Sequence, residues 1–327
     1  MHELHSYRFS VQRVVAAVVT HDPDPPRPPL RRGGVSALAG LLVAAVALGA
    51  AAAYGLFTGH SRTEATDPGA ILLERRTGTR YVYLPSDGRL HPVLNYTSGL
   101  LLTSGDTPEL RTIGAAKLAS VPLGEPLGIP GAPDALPAAG DLLTGPWSLC
   151  TAAGTSTLLV GAAPSGGLPL TGGLLVRAAG RTQMVFEGRS YALTDNEQKI
   201  AAWSVPEAWL GAIPAAPGHP AGISPPSDAP ASACVTLASD QTQAGVRVNA
   251  TFPSGAVHVP RGKGALVSAD GDKIHLVTDS GQRFELAGAD LLGKLGYAGV
   301  TPLRVPERFL AQLPAGPALD PVRAGRA

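Results

Sequence analysis

Aromatic residues are scarce in this chain, cysteine occurs only twice, and lysine and arginine never run longer than two in a row. With a formal net charge of +1, that last absence argues against a nucleic-acid partner, which needs a basic stripe or patch. Catalytic signatures are missing as well. A phosphate-wrapping loop needs Gly-x-x-x-x-Gly-Lys-Ser/Thr. The nearest segment, Arg261-Gly262-Lys263-Gly264, lacks both the loop length and the hydroxyl, and reads as a basic turn before a strand. No His-Glu-x-x-His pair and no Gly-x-Ser-x-Gly elbow occur. His91 and His275 fall inside predicted strands and read as strand residues rather than metal ligands. No catalytic, cofactor-binding or metal-binding residue is therefore expected.

Charge is also absent from one long stretch, Gly33 to Gly59, directly after Arg27, Arg31 and Arg32. Its apolar centre, Val35 to Phe57, is about long enough to cross a ~30 Å hydrocarbon layer as a helix. It exceeds a signal-peptide core, and the segment before it is unusually long for a signal peptide, so it reads as an uncleaved anchor. Leu4, Tyr7, Val11, Val14, Val15, Val18 and Val19 recur mostly at helical spacing in that leading segment, which predicts a short membrane-lying or partner-binding helix. Arg8, Arg13, Arg27, Arg31 and Arg32 all precede the span. Their excess places the N-terminus in the cytoplasm and the tail outside.

The tail is rich in glycine and proline, which predicts short elements joined by many turns. One pattern occurs three times: two tight turns between three short apolar runs, a three-stranded meander. The copies are Leu72 to Val93 with turns at Thr77-Gly78 and Asp87-Gly88, Leu175 to Leu193 with turns near Gly180 and Gly188, and Leu266 to Leu286 with turns at Asp270-Gly271 and Ser280-Gly281. A Val-Pro with a second proline eight residues on follows each: Val121-Pro122 with Pro130, Val205-Pro206 with Pro214, and Val305-Pro306 with Pro314. In the last two, proline at the first helical position and Glu in the first turn predict a short helix stopped by the next proline. Such a unit cannot bury its apolar face alone, so the copies must pack on each other or on a core.

Cys150 and Cys234 lie between copies. In an extracytoplasmic tail they are expected to form a disulfide, and closing that loop stabilises by on the order of 4 kcal/mol; the alternative is two buried free thiols. Thr236-Leu237, Val246 to Val248 and Val257 to Val259 read as strands, and Pro214 to Pro230 as a mobile linker. Trp147, Trp203 and Trp209 read as core rather than as a binding face.

Several separate segments in order resemble the EccB family, a membrane component of the type VII (ESX) secretion system. They include Tyr7-Arg8-Phe9 with Arg13, Pro29-Leu30-Arg31, Gly78-Thr79-Arg80-Tyr81 and His91-Pro92-Val93-Leu94-Asn95-Tyr96-Thr97-Ser98. The most specific are Gly128-Ile129-Pro130-Gly131-Ala132-Pro133-Asp134 and Trp147-Ser148-Leu149-Cys150, and the match closes with Leu313 to Asp320. The resemblance implies one membrane helix and a β-rich α+β extracytoplasmic region, with a central domain flanked by repeats. It implies EccC, EccD and EccE as partners, a homo-oligomer, and a structural role in export. An ATPase label travels with the family and is the only suggestion of ATP; a cell-wall-binding module is the third reading. The family usually carries four repeats and this chain shows three, so the repeat before the last is missing.

The expected division is a cytoplasmic head at 1–32, a transmembrane helix at 33–59 and a tether at 60–69. Repeat 1 takes 70–137, the central halves 138–170 and 224–262, repeat 2 171–223, the last repeat 263–321 and a tail 322–327.

Overall fold

The computed structural model describes residues 2–20, 29–58, 63–218, 229–237, 244–269 and 273–326. They divide into two compact units, Met1–Arg62 and Thr63–Ala327. The first unit is helical: α1 (His2–Thr20) and α2 (Pro29–Thr58). On α1, Tyr7, Val11, Val14 and Val18 are all exposed and recur at three and four residues, an apolar stripe along one face. Side chains of α2 are described over 36–52, and all of them are exposed. Among the described residues no helix is long and apolar enough to cross a membrane.

In the second unit the chain enters through 63–68. Sequence suggests a free tether there, but Thr63 and Ala65 are buried and the Thr63 carbonyl accepts from Lys117 at 3.1 Å. The first meander then forms from β1 (Ala70–Glu74), β2 (Arg80–Leu84) and β3 (Arg89–Pro92). Helix α3 (Tyr96–Leu102) follows, and β4 (Glu109–Ile113) returns parallel to β1 on its outer side. The short α4 (Ala115–Leu118) comes next.

The chain then builds β5 (Trp147–Ala152), β6 (Thr155–Leu159) and β7 (Ser165–Pro169) before the second repeat. That repeat comprises the meander β8 (Leu174–Ala178), β9 (Arg181–Phe186) and β10 (Arg189–Ala192). It continues with β11 (Trp203–Ser204), α5 (Glu207–Gly211) and β12 (Ala215–Ala216). Strands β13 (Ser232–Leu237), β14 (Ala244–Thr251) and β15 (Val257–His258) join the earlier three in a six-stranded sheet ordered β15-β6-β5-β13-β14-β7. The last repeat supplies β16 (Ala265–Ser268), β17 (Ile274–Val277), β18 (Arg283–Glu285), α6 (Leu291–Lys294), β19 (Leu303–Arg304), α7 (Glu307–Leu310) and α8 (Pro321–Ala324).

Each repeat carries more than the meander visible in sequence. A fourth strand lies parallel to the first, β4 on β1, β11 on β8 and β19 on β16. After the short helix a proline carbonyl then accepts from the third strand, always at 2.9 Å: Pro122 from Leu90, Pro214 from Ser190, Pro314 from Arg283. These bonds correct the reading of the first copy. Val121-Pro122 is the partner of Ile213-Pro214 and Leu313-Pro314, not of Val205-Pro206 and Val305-Pro306. The position of those earlier prolines is taken by Gly114, which precedes α4 as Pro206 and Pro306 precede α5 and α7. Both prolines also stand one place before the first helical residue, as N-caps with extended backbone. The proposed linker after Pro214 begins as β12; its residues 219–228 lie outside the described residues, as does the Asp270-Gly271 turn.

Beside three smaller clusters, two large cores hold the described residues of this unit together. One joins the six-stranded sheet to repeats 2 and 3, through Trp147, Leu149, Val235, Val176, Trp209, Val267, Val277 and Phe309. The other joins repeat 1 to the last repeat through Ile71, Val82, Leu101, Ile129, Leu266, Leu276, Phe284 and Tyr297. The last repeat serves both because strand side chains alternate: Ala265, Val267 and Val277 face one core, Leu266 and Leu276 the other. The hub is thus the last repeat, whereas sequence points to the cysteine-bearing centre.

Candidate functional site

The residues singled out from sequence converge on two places. The first is the start of α3. Asn95 is extended (φ −152°, ψ 165°) and caps the helix, its Oδ1 accepting from the Ser98 amide at 2.9 Å and the Ser98 hydroxyl at 2.7 Å. Its Nδ2 donates to the Ile129 carbonyl at 2.8 Å, and the Ile129 amide donates back to Ser98 Oγ at 2.9 Å. This closed ring of bonds, buried throughout, ties α3 to the 128–134 loop. Gly128 sits at φ +140°, and a Cβ there would meet Leu94 Cβ at 3.0 Å and Ser98 Oγ at 3.1 Å, so only glycine lets the loop approach.

Downstream, Thr97 donates to the Pro133 carbonyl. Asp134 accepts from Arg80 Nη1 at 2.7 Å and from the Tyr96 amide at 2.8 Å, while the Arg80 guanidinium stands 6.0 Å from the Tyr96 ring centre. Pro130 and Gly131 are exposed at the crest of this loop, and Gly131 faces Pro317 of the last repeat. Sequence reasoning named Arg80, Asn95, Gly128, Pro130, Gly131 and Pro133 but not their partners Thr97, Ser98 and Asp134, although all three stand in the same quoted segments.

His91 and Pro92 end β3, and Tyr81 lies across from Pro92 on β2. His91 is buried, with Nδ1 2.8 Å from the Glu125 carbonyl and Nε2 2.9 Å from Asp87 Oδ2. Burial opposes ionisation of Asp87, but hydrogen bonds from His91 and the Arg89 amide outweigh it and hold the carboxyl below its ordinary value. The imidazole stands against Gly124, where a Cβ would clash with the ring; in the last repeat the Phe284 ring stands against Gly316 in the same way. The shared Pro-x-Gly-x-x-Leu of 122–127 and 314–319 is the sequence signal that marks this pair. His275 is buried in β17, its Nδ1 without a hydrogen-bond partner among the described residues, and desolvation followed by repulsion from Arg283 lowers its pKa.

The second place is the six-stranded sheet. Cys150 and Cys234 are directly opposed on β5 and β13 and form a disulfide, fully buried on the face away from the large core. Trp147 opens β5 and is buried in that large core, opposite Leu237. Trp209 is fully buried, and Trp203 meets it edge to face, ring centres 6.1 Å apart.

The basic turn is occupied by structural bonds. Lys263 Nζ pairs with Asp141 at 2.6 Å and the Gly262 amide donates to Asp279. No group of three or more metal-ligating side chains occurs among the described residues.

A family model described as type VII secretion system ESX-1, transport TM domain B, matches residues 1–218 and 220–327. The chain belongs to the EccB family. Among curated relatives, the "ESX-1 secretion system ATPase EccB1" of Mycobacterium tuberculosis is 32% identical over 148 residues, 45% of this chain and 29% of the relative. The "ESX-3 secretion system ATPase EccB3" of Mycolicibacterium smegmatis is 34% identical over 158 residues, 47% and 28% respectively. The alignments thus span under a third of those relatives' lengths. The fold is similar to a chain of an intact ESX-5 inner membrane complex, with a TM-score of 0.67 and 19% identity over 99% of this chain and 95% of that one. It is also similar to the EccB3 dimer of the ESX-3 core complex, at 0.61 and 20%, over 79% and 100%.

Proposed function

We propose that this chain is a non-catalytic structural subunit of a type VII secretion membrane complex, supporting protein export across the cell envelope. The observation that carries the reading is the family match over nearly the whole chain. The use of the motif residues as internal fasteners, with side chains bonded to other parts of the fold, supports a scaffold rather than a reactive centre. In this reading EccC-, EccD- and EccE-type subunits are its partners and it self-associates. The ATPase in the relatives' names has no counterpart we can build at Lys263, whose ammonium is committed to Asp141.

The anchor belongs to the same proposal. As a backbone helix α2 runs for 30 residues, about 45 Å at ~1.5 Å per residue. Exposed Leu38, Leu41, Leu42, Val43, Val46 and Leu48 are distributed around its circumference, as lipid requires and water does not. The arginines before it favour a cytoplasmic N-terminus and an extracytoplasmic tail. The division into head, anchor, three repeats and a disulfide-tied centre, with one family repeat missing, completes the proposal.

The test is removal of the gene from its host, with two readouts: export of a type VII substrate and recovery of the membrane complex. Both fall without the chain and return with wild type and with Lys263→Ala. A complex that assembles at full yield without the chain refutes the scaffold reading. So does ATP hydrolysis by the purified chain that Lys263→Ala abolishes.

A further inference from the structure

The third strand of each repeat carries a ring at one matching place. It is His91 in β3, Tyr191 in β10 and Phe284 in β18, each one residue past the amide that donates to a proline carbonyl. Two residues after that proline stand Gly124, Ala216 and Gly316. A Cβ on either glycine would clash with the ring against it, His91 or Phe284. Phenol and benzene rings do not change charge between about pH 5 and 8, whereas imidazole does. Repeat 1 therefore places a titratable ring where the other two repeats place none.

His91 also differs in its partners. It is buried, with Nδ1 2.8 Å from the Glu125 backbone carbonyl and Nε2 2.9 Å from Asp87 Oδ2. A carbonyl oxygen only accepts, and so does an ionised carboxylate. Bonds from the ring and from the Arg89 amide keep Asp87 in the ionised form. A neutral imidazole has one N–H and can serve only one of these two acceptors. With that hydrogen on Nε2, the Nδ1 lone pair points at the Glu125 carbonyl oxygen. With it on Nδ1, the Nε2 lone pair points at the carboxylate. Both contacts are bonds only when the pair holds one further proton, as imidazolium beside carboxylate. The other charged groups nearby are committed elsewhere. Arg89 Nη1 donates to the Leu123 carbonyl at 3.2 Å, Arg80 of β2 pairs with Asp134, and the Glu125 side chain belongs to an exposed residue.

We infer that this proton is a latch on residues 122–127, the segment that runs parallel beside β3. Backbone bonds to β3 hold that segment at Pro122, Gly124 and Leu127, and His91 holds the Glu125 carbonyl between them. With the proton present, the ring clamps the segment. Once it is lost, the ring keeps its charge-assisted bond to Asp87 and releases Glu125. The clamp is therefore present at low pH and lost as pH rises. The segment leads directly into the 128–134 loop, which bonds α3 and faces Pro317 of the last repeat. A proton on repeat 1 thus bears on the seam between the two repeats. The inference is independent of the role in secretion.

The test is amide hydrogen exchange on the full chain in detergent at about pH 5.5 and about pH 8.5, corrected for the intrinsic exchange rate. Protection across 122–128 should fall at least about fivefold at the higher pH, and the matching 314–320 segment should show no loss. Asp87→Asn gives the neutral ring a donor for Nε2, so Nδ1–H stays on Glu125. That variant should keep protection at both pH values. His91→Phe copies the ring of the last repeat and should also remove the pH response. Glu125→Gln leaves the carbonyl in place and should respond as wild type does. The inference is overturned if protection across 122–128 is equal at both pH values, or if 314–320 loses as much. A pH response that survives in Asp87→Asn overturns it as well. Failure here leaves the export assay untouched, so the two readings separate.

Discussion

Replacing Asn95 by alanine removes three hydrogen bonds from a single buried ring. The cap bond to the Ser98 amide is lost, which costs about 1 kcal/mol at a helix N-terminus. The Ile129 carbonyl loses its 2.8 Å donor while remaining inside the fold, and a buried group left unpaired costs roughly 1–3 kcal/mol. The Ser98 hydroxyl loses an acceptor but keeps the Ile129 amide. Together these give a destabilisation of about 2–4 kcal/mol, which lowers the melting temperature by roughly 4–12 °C for a domain of this size. Asn95→Asp separates the contributions: a carboxylate still accepts from Ser98 but faces the Ile129 carbonyl with no donor, so at neutral pH it destabilises at least as much. Urea titration supplies the free energy, and amide exchange supplies the location, with protection falling first at Ser98 and Ile129. A change under about 0.5 kcal/mol for Asn95→Ala, with both amides still protected, refutes the claim that this ring holds the 128–134 loop to α3.

Four further outcomes follow from the same geometry. Cys150→Ala with Cys234→Ala opens a loop closed at a separation of 84 residues, and chain entropy sets the loss at about 4–5 kcal/mol in oxidised samples; equal midpoints would refute the entropic account. Gly316→Ala drives a methyl into the Phe284 ring and should cost about 1–3 kcal/mol, whereas Gly140→Ala, with nothing within 4 Å, should be near neutral by the same melting assay. His275 has a folded pKa below its ordinary 6.5, so the unfolded chain takes up its proton first. Its contribution is complete above about pH 6.5 and declines as pH falls toward the lowered folded value; His275→Leu should flatten the stability curve in that window, and an unchanged slope would count against the burial argument. Lys263→Ala breaks an ion pair whose two side chains are about two-fifths exposed, so denaturation should register a loss below about 1 kcal/mol.

The meanders were legible because short apolar runs broken by glycine turns have few other solutions. Turn glycines at 78, 88, 180, 188 and 281 all take positive φ, as such turns demand. The fourth strands were not legible. β11 and β19 are two residues each, and no periodicity survives at that length. The first copy of the Val-Pro element was misread by eight residues because Gly114 replaces the first proline, and only the bond from Leu90 to the Pro122 carbonyl restores the alignment. Around Asn95, the motif segments were visible as words, but their partnership across some thirty residues of chain was not. Side chain to carbonyl bonds such as Asn95 to Ile129 leave no trace in local composition.

Sequence by itself determined the uncharged run, the three meander patterns and the family, because each depends on residue type and order along the chain; it left Cys150 and Cys234 open between a disulfide and two free thiols. Tertiary structure decided which surfaces are spent and which are open. Two strands of the last repeat feed two cores at once because alternate side chains point to opposite faces, and that makes it the hub. The short helices α5 and α7 bury Trp209, Leu210, Phe309 and Leu310 whereas α4 of repeat 1 buries no residue, since burial depends on what lies opposite in space rather than on what precedes in the chain.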